Sequence, residues 1–301
     1  MASPRPFQPL RGVRIVSLAL NLPGPAALMR LHALGARCLK VEPPGPGTTP
    51  SGRPISGDPM GQYDIGAYNT LHEGVRVVTM DLKTERGRAQ LGKELARADL
   101  LLTSFRPSAL AKLGLAWATL HKAYPQLSMV EVVGAPGERA EEPGHDLTYL
   151  AEAGLVTGTE LPPTLLADMA GALMASEAAL ACVLQARASG KGQHREVALA
   201  SAAHWLALPR SWGMTLPSGP VGGAHAGYRV YPCKDGRVAF AALEPHFAHS
   251  LFQVAGLPPP DARAPFAPSA RAAIAAWAAG KTRRQLDALA EKHDIPLLTL
   301  K

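Results

Sequence analysis

Hydrophobic positions along this chain come in short continuous blocks separated by helix-length stretches. Val13 to Leu20, Arg37 to Val41, Val75 to Leu82, Asp99 to Thr103 and Leu127 to Val133 each read as a buried strand. A turn at Leu22-Pro23-Gly24-Pro25 leads into helical spacing from Ala26 to Leu34, with Gly35 as its stop. Thr84 caps a second helix that runs through Ala98, and Ser108 to Leu113 forms a short one ending at Gly114. Strands and helices that alternate in this way predict βαβ units and an open, doubly wound, Rossmann-like parallel sheet. Ligands of such a sheet sit at the carboxyl ends of its strands. The Pro- and Gly-rich stretch from Pro43 to Gly61 reads as a long loop, of a length that marks a functional or mobile segment.

Farther along, Asp146 to Gly154 and the Ala-rich Asp168 to Ser189 read as helices, the second closed by Gly190-Lys191-Gly192. Glu196 to Leu206 reads as a strand running into a helix. After Pro209 the texture changes to a linker-like run containing Pro217, Gly219, Pro220, Gly222 and Gly223. Tyr228 to Pro232 and Arg237 to Ala242 then read as a hairpin around Lys234-Asp235-Gly236, because Asp-Gly is a strong hairpin signal. Residues 269 to 293 return to helical spacing. The pattern predicts a large α/β domain over residues 1–200 followed by a smaller α+β domain.

Composition narrows the class. Apolar residues make up 47% and charged residues 18%, which excludes a disordered chain. Aromatics are only 5%, so the core must be built mainly from Ala, Leu and Val. A net charge of +7 favours anionic partners. No zinc-finger spacing or aromatic RNA-binding stretch is present, so nucleic acid is not an expected partner. Cys38, Cys182 and Cys233 lie far apart, form no metal spacing and fit a reducing compartment. The first apolar run is too short to span a bilayer, so neither a leader nor a membrane anchor is expected, and the expected location is cytoplasmic.

Few segments carry chemistry. The Pro-Gly-Pro turn around Gly24 is not GxGxxG, and its prolines lack the N–H groups that cradle phosphate, so dinucleotide binding in the usual pose is not expected. No GxSxG or HExxH pattern occurs, and the histidines make no metal site. Gly144-His145-Asp146 follows the fifth strand and opens a helix, which puts His145 at the carboxyl end of the sheet. Asp146 then reads either as a site residue or as a helix cap favoured by the dipole. Asp168 likewise reads as a cap or as an approachable acid, since small residues Ala170, Gly171 and Ala172 follow it. Glu244 ends the apolar run AFAAL and would be costly to bury without a partner.

Taken together, these segments resemble the family III CoA-transferases, the CaiB/BaiF family. The matching pieces include PLRGVRIVSLA at 9–19, LHALGARCLKVEPPGPG at 31–47, ADLLLTSFRPSALAKLGL at 98–115, GHDLTYLAEAGLVTG at 144–158 and YRVYPCKDGRVAFAALEPHF at 228–247. GHD followed by LLADMAG is similar to the α-methylacyl-CoA racemase branch. The resemblance implies an acyl-CoA racemase or epimerase in which His145 and Asp168 take and return the proton α to a thioester. It implies that Glu244 orients His145 and that Asp146 pairs with Asp168. A helix N-terminus near Asp146 would stabilise the enolate, and each such donor is worth roughly 3 kcal/mol of barrier. Lys40, Arg76 and Arg106 would contact CoA phosphates. No cofactor is implied beyond coenzyme A as part of the substrate, and the partner implied is a second copy in an interlocked homodimer. Two alternatives stand: a CoA-transferase forming an aspartyl anhydride at Asp168, and a CoA-binding paralogue without turnover. The last is motivated by two departures from the family pattern. His72-Glu73-Gly74-Val75-Arg76 stands where the family reads Asn-Arg-Gly-Lys-Arg. Residues 201–292 would form the small domain, and 293–301 would be a shortened segment returning toward the large domain.

Overall fold

The computed structural model describes residues 7–48, 52 and 55–301. They fall into two compact units, Met1–Ala207 and Leu208–Lys301. The first unit contains β1 (Arg14–Ser17), α1 (Pro23–Ala33), β2 (Arg37–Glu42), α2 (Pro59–Tyr63), α3 (Ile65–Leu71), β3 (Arg76–Thr79), α4 (Glu85–Leu95) and β4 (Leu100–Thr103). It continues with α5 (Pro107–Lys112), α6 (Trp117–Ala123), β5 (Ser128–Val133), α7 (Asp146–Glu152), α8 (Leu166–Ser189), β6 (His194–Ala198) and α9 (Leu199–Leu206). The six strands form one parallel sheet in the order β3-β2-β1-β4-β5-β6. The chain winds outward from β1 to β3, then returns past β1 to build β4, β5 and β6. The strand order therefore reverses between β1 and β4, and a crevice opens there at the carboxyl ends.

Both faces of the sheet are covered, as a parallel sheet requires. Ile15, Leu100, Leu102 and Val130 face α1 and α8, where Ala172, Ala175 and Ala179 let the long helix approach closely. The alternate positions Val16, Leu39, Leu101 and Met129 face Leu91 and Leu95 of α4. By length and composition α8 is apolar enough to cross a membrane. In this fold it packs on β5 and α1.

Three expectations change. The expected turn at Pro23 is the first turn of α1, since prolines there surrender only N–H groups that a helix start leaves unbonded. Gly24 fits tightly against the preceding loop: a Cβ on it would lie 2.1 Å from Ala19 Cβ. The expected loop from Pro43 to Gly61 gives way to α2 and α3 at its end. Asp58 caps α2 by accepting from the Met60 N–H, and Asp64 caps α3 by accepting from the Ala67 N–H. Residues 49–51, 53 and 54 of that loop lie outside the described residues. The expected boundary near residue 200 shifts to Ala207 because α9 packs on α8, with Ala200 and Ala203 in the same core cluster.

The second unit holds α10 (Leu208–Ser211), β7 (Tyr228–Cys233), β8 (Gly236–Ala241), α11 (Pro245–Val254), α12 (Pro268–Ala279), α13 (Arg283–His293) and β9 (Leu297–Leu300). The predicted hairpin forms β7 and β8, and β9 joins β8 to make an antiparallel β7-β8-β9 sheet. Residues 293–301 were expected to head back toward the first domain. Instead Leu297 to Leu300 pair with Phe240 to Arg237 inside this unit. Val238, Phe240, Leu251, Ile274 and Leu286 form its core.

Candidate active site

Three loops at the carboxyl ends of β1, β4 and β5 surround a cavity of about 330 Å3 at the crossover crevice. The β1–α1 loop contributes Leu20, Asn21 and Pro23. Asn21 adopts a left-handed backbone (φ +63) that non-glycine residues seldom take. Its N–H donates to Asp58 Oδ1 at 3.0 Å, and the Leu20 N–H donates to Ser104 Oγ at 3.0 Å, so this rim is tied to two neighbouring loops.

The β4–α5 loop contributes Ser104, Phe105 and Arg106. Arg106 is exposed and occupies the N-cap position of α5. Glu141 holds that helix start in place: its carboxylate accepts from the Ser108 N–H at 2.7 Å and the Ser108 hydroxyl at 2.8 Å.

The β5–α7 connection brings Gly134, Gly144 and His145. His145 is exposed at the N-cap of α7, and Thr148 fixes its backbone from both sides. The His145 N–H donates to Thr148 Oγ1 at 3.1 Å, while the Thr148 hydroxyl and N–H donate back to the His145 carbonyl at 2.7 and 2.9 Å. His145 is exposed and lines the cavity, which makes its imidazole accessible there.

Asp168 enters from the first turn of α8. Its N–H donates to Oδ1 of the buried Asp146 at 3.0 Å. Asp146 thus anchors the Asp168 backbone rather than pairing with its carboxyl group. Burial pushes the Asp168 carboxyl up to about 6, the negative charge of Asp146 adds to the rise, and His145 opposes it. A carboxyl group poised there exchanges protons readily near neutral pH.

Tyr149 escaped sequence reasoning. It lines the same cavity, and burial together with the nearby Asp168 charge holds its hydroxyl above the ordinary tyrosine range. Gly134 and Gly144 are small because of it: a Cβ on either would lie 2.3 or 2.5 Å from Tyr149 Oη. The two glycines flanking the connection were the available signal.

The structure therefore brings His145, Asp168 and Arg106 to one cavity, with Asp146 beneath Asp168. Lys40 must be corrected. It is fully buried in β2, where its ammonium pairs with Asp58, contacts His72 Nε2 at 3.0 Å and lies 3.6 Å from Glu42. That charge is spent internally and does not meet a phosphate. Glu42, Asp58 and His72 are also the one cluster among the described residues with metal-like spacing, and the Lys40 ammonium already supplies their cation. Since His72 Nδ1 faces the Tyr68 carbonyl at 2.7 Å, Nε2 is the acceptor for Lys40. Burial and the Lys40 charge lower the His72 pKa, which keeps that form neutral.

Arg76 must also be corrected. It opens β3 at the amino edge of the sheet, the end opposite the cavity. The departure at His72 to Arg76 thus touches the buried network and the amino edge rather than the cavity wall. Glu244 belongs to the second unit, where it is the exposed N-cap of α11.

A family model described as CoA-transferase family III matches residues 10–301. The chain belongs to CoA-transferase family III. Among family III relatives, the probable fatty acyl-CoA transferase Rv3272 of Mycobacterium tuberculosis is 32% identical over 209 residues, covering 66% of this chain and 52% of that protein. Human alpha-methylacyl-CoA racemase is 30% identical over 266 residues, covering 82% of this chain and 65% of the racemase. A crystal structure of Rv3272 superposes with a TM-score of 0.81 and 26% identity, covering 98% of this chain and 86% of that one. The chain spans about half the length of several curated family III relatives that it matches. Relatives of similar identity thus carry both transferase and racemase names.

Proposed function

We propose that this chain acts on acyl-CoA thioesters as a racemase or epimerase, inverting the carbon α to the thioester carbonyl. The observation that carries this reading is the shared cavity of His145 and Asp168, with the Asp168 carboxyl pushed up to about 6. The α-proton is weakly acidic, and inversion needs one group to remove it and a second to return one on the opposite face. An exposed imidazole and a carboxyl group that titrates near neutrality are suited to those roles. The α7 N-terminus faces the developing enolate oxygen in this reading, and Arg106 at the rim meets a CoA phosphate. The working form in this reading is a homodimer.

The test is incubation of a 2-methylacyl-CoA in deuterated water. Deuterium should enter at the α-carbon, and His145→Ala or Asp168→Ala should abolish inversion. A competent substrate that shows no exchange would count against the proposal.

A second reading is favoured by the transferase relatives at 32% identity. Here the Asp168 carboxylate attacks the thioester, the CoA thiolate leaves and an acyl-aspartyl anhydride forms. The thiolate then attacks the aspartyl carbonyl, releasing the donor acid and leaving an aspartyl-CoA thioester. An acceptor carboxylate attacks that thioester to give a second anhydride, whose acceptor acyl group the thiolate takes as it frees Asp168. Hydroxylamine would trap that anhydride, and His145→Ala would have little effect. The same pair of experiments separates the two reactions.

A further inference from the structure

The amino edge of the parallel sheet holds a second cavity, of about 710 Å3, at the opposite end of the strands from His145 and Asp168. Strand register builds its cationic wall. Arg14 opens β1 and is paired with Arg37, the first residue of β2. Arg76 opens β3 and is paired with Leu39, two residues beyond Arg37. Because side chains alternate along a strand, Arg14, Arg37 and Arg76 project from the same face of the sheet. That face is the one covered by α4, and Arg97 joins the wall just beyond the end of that helix. All four arginines are exposed, and none forms an ion pair among the described residues. Val16 and Leu39 supply an apolar floor.

Helix dipoles do not account for this charge. The carboxyl ends of α1 and α4 point toward this edge, but Arg30 and His32 already sit in the last turn of α1, and Lys93 in that of α4. The strand arginines are additional, and the one acidic side chain of the lining, Glu94, forms no ion pair with them among the described residues. Like charges held side by side repel unless an anion lies between them. Guanidinium groups match phosphate with paired hydrogen bonds. The cavity is also of a size that takes a small molecule.

We infer that this groove binds a nucleoside diphosphate, its phosphates held by Arg14, Arg37, Arg76 and Arg97 and its base resting on Val16 and Leu39. The site is separate from the acyl-CoA chemistry, so it stands or falls independently of the racemase reading.

Calorimetric titration with ADP and with inorganic pyrophosphate tests it, using wild type, Arg37→Gln/Arg97→Gln and Arg106→Gln. Both altered arginines of the double variant are exposed, and circular dichroism checks that it stays folded. ADP should bind saturably, more weakly at higher salt, and about tenfold or more weakly in the double variant, while Arg106→Gln binds it as wild type does. Pyrophosphate should bind about tenfold more weakly than ADP, since it lacks the part that contacts the floor. Unchanged ADP affinity in the folded double variant, or no saturable binding by wild type, would overturn the assignment. Loss of ADP binding in Arg106→Gln would place ADP in the other cavity and overturn it as well. Equal affinity for pyrophosphate would overturn the nucleoside class.

Discussion

At the scale of single residues, the chemistry turns on how two acids share one corner. Asp168 is pushed up chiefly by burial and secondarily by Asp146. If Asp168 acts in its ionised form, kcat/KM should fall as pH drops through about 6, and Asp146→Asn should move that limb to lower pH while keeping an oxygen for the Asp168 N–H. A pH–rate profile of the two proteins reads the shift. Stability follows the same proton. A carboxyl group whose folded pKa is raised contributes fully at low pH and loses that contribution as pH rises through about 6. Asp168→Asn should therefore gain stability over wild type in urea melts at pH 8, with the gain vanishing by acidic pH. Lys40 illustrates what a single sequence withholds. Its partners Asp58 and His72 lie 18 and 32 residues away in chain order, and nothing at position 40 reveals that those segments fold over it. Removing one member of a buried ionic network typically costs about 3–5 kcal/mol, because the remaining charges stay dry and unpaired. Lys40→Met should show a loss of that order in chemical denaturation.

At the scale of elements, the site is a set of helix starts. His145 precedes α7, Asp168 lies in the first turn of α8 and Arg106 precedes α5. Placing His145 and Asp168 was possible from sequence because each stands where an apolar run hands over to helical spacing. The α2 start had a comparable signal in Asp58-Pro59, a capping acid followed by proline, but the surrounding Pro- and Gly-rich run obscured it. Tyr149 was hidden for another reason: a tyrosine inside a short amphipathic helix is ordinarily part of the core. Its contact with the flanking glycines makes a specific expectation. Gly134→Ala should destabilise the protein by about 1–3 kcal/mol through overpacking. Tyr149→Phe should restore most of that loss, since the next atom a Cβ at position 134 would meet is 3.2 Å away. Gly144→Ala should not be rescued in the same way, because the ring carbons themselves lie 2.7 and 2.8 Å from its Cβ. Thermal melts of the single and double variants distinguish the two cases.

At the scale of the whole molecule, the alternation of strands and helices made the parallel sheet legible, and the sheet order then located the cavity. Amino and carboxyl edges were harder to tell apart. Arg76 lies in a strand-like run, and only the start of β3 decides which edge it occupies. The second unit was legible in its hairpin and its paired helices, whereas the destination of the final residues depended on a partner strand more than fifty positions earlier. Within that unit Ile274 is fully enclosed, and Ile274→Ala should cost about 2–5 kcal/mol, visible as faster amide exchange across β7, β8 and β9. The position of β9 also bears on how the protein can be handled. Among the described residues one flank of β8 is paired by Leu297 to Leu300 alone, so clipping those residues would bare a row of backbone donors and acceptors. A clipped preparation would recruit strands from neighbouring molecules and precipitate before any catalytic defect could be measured.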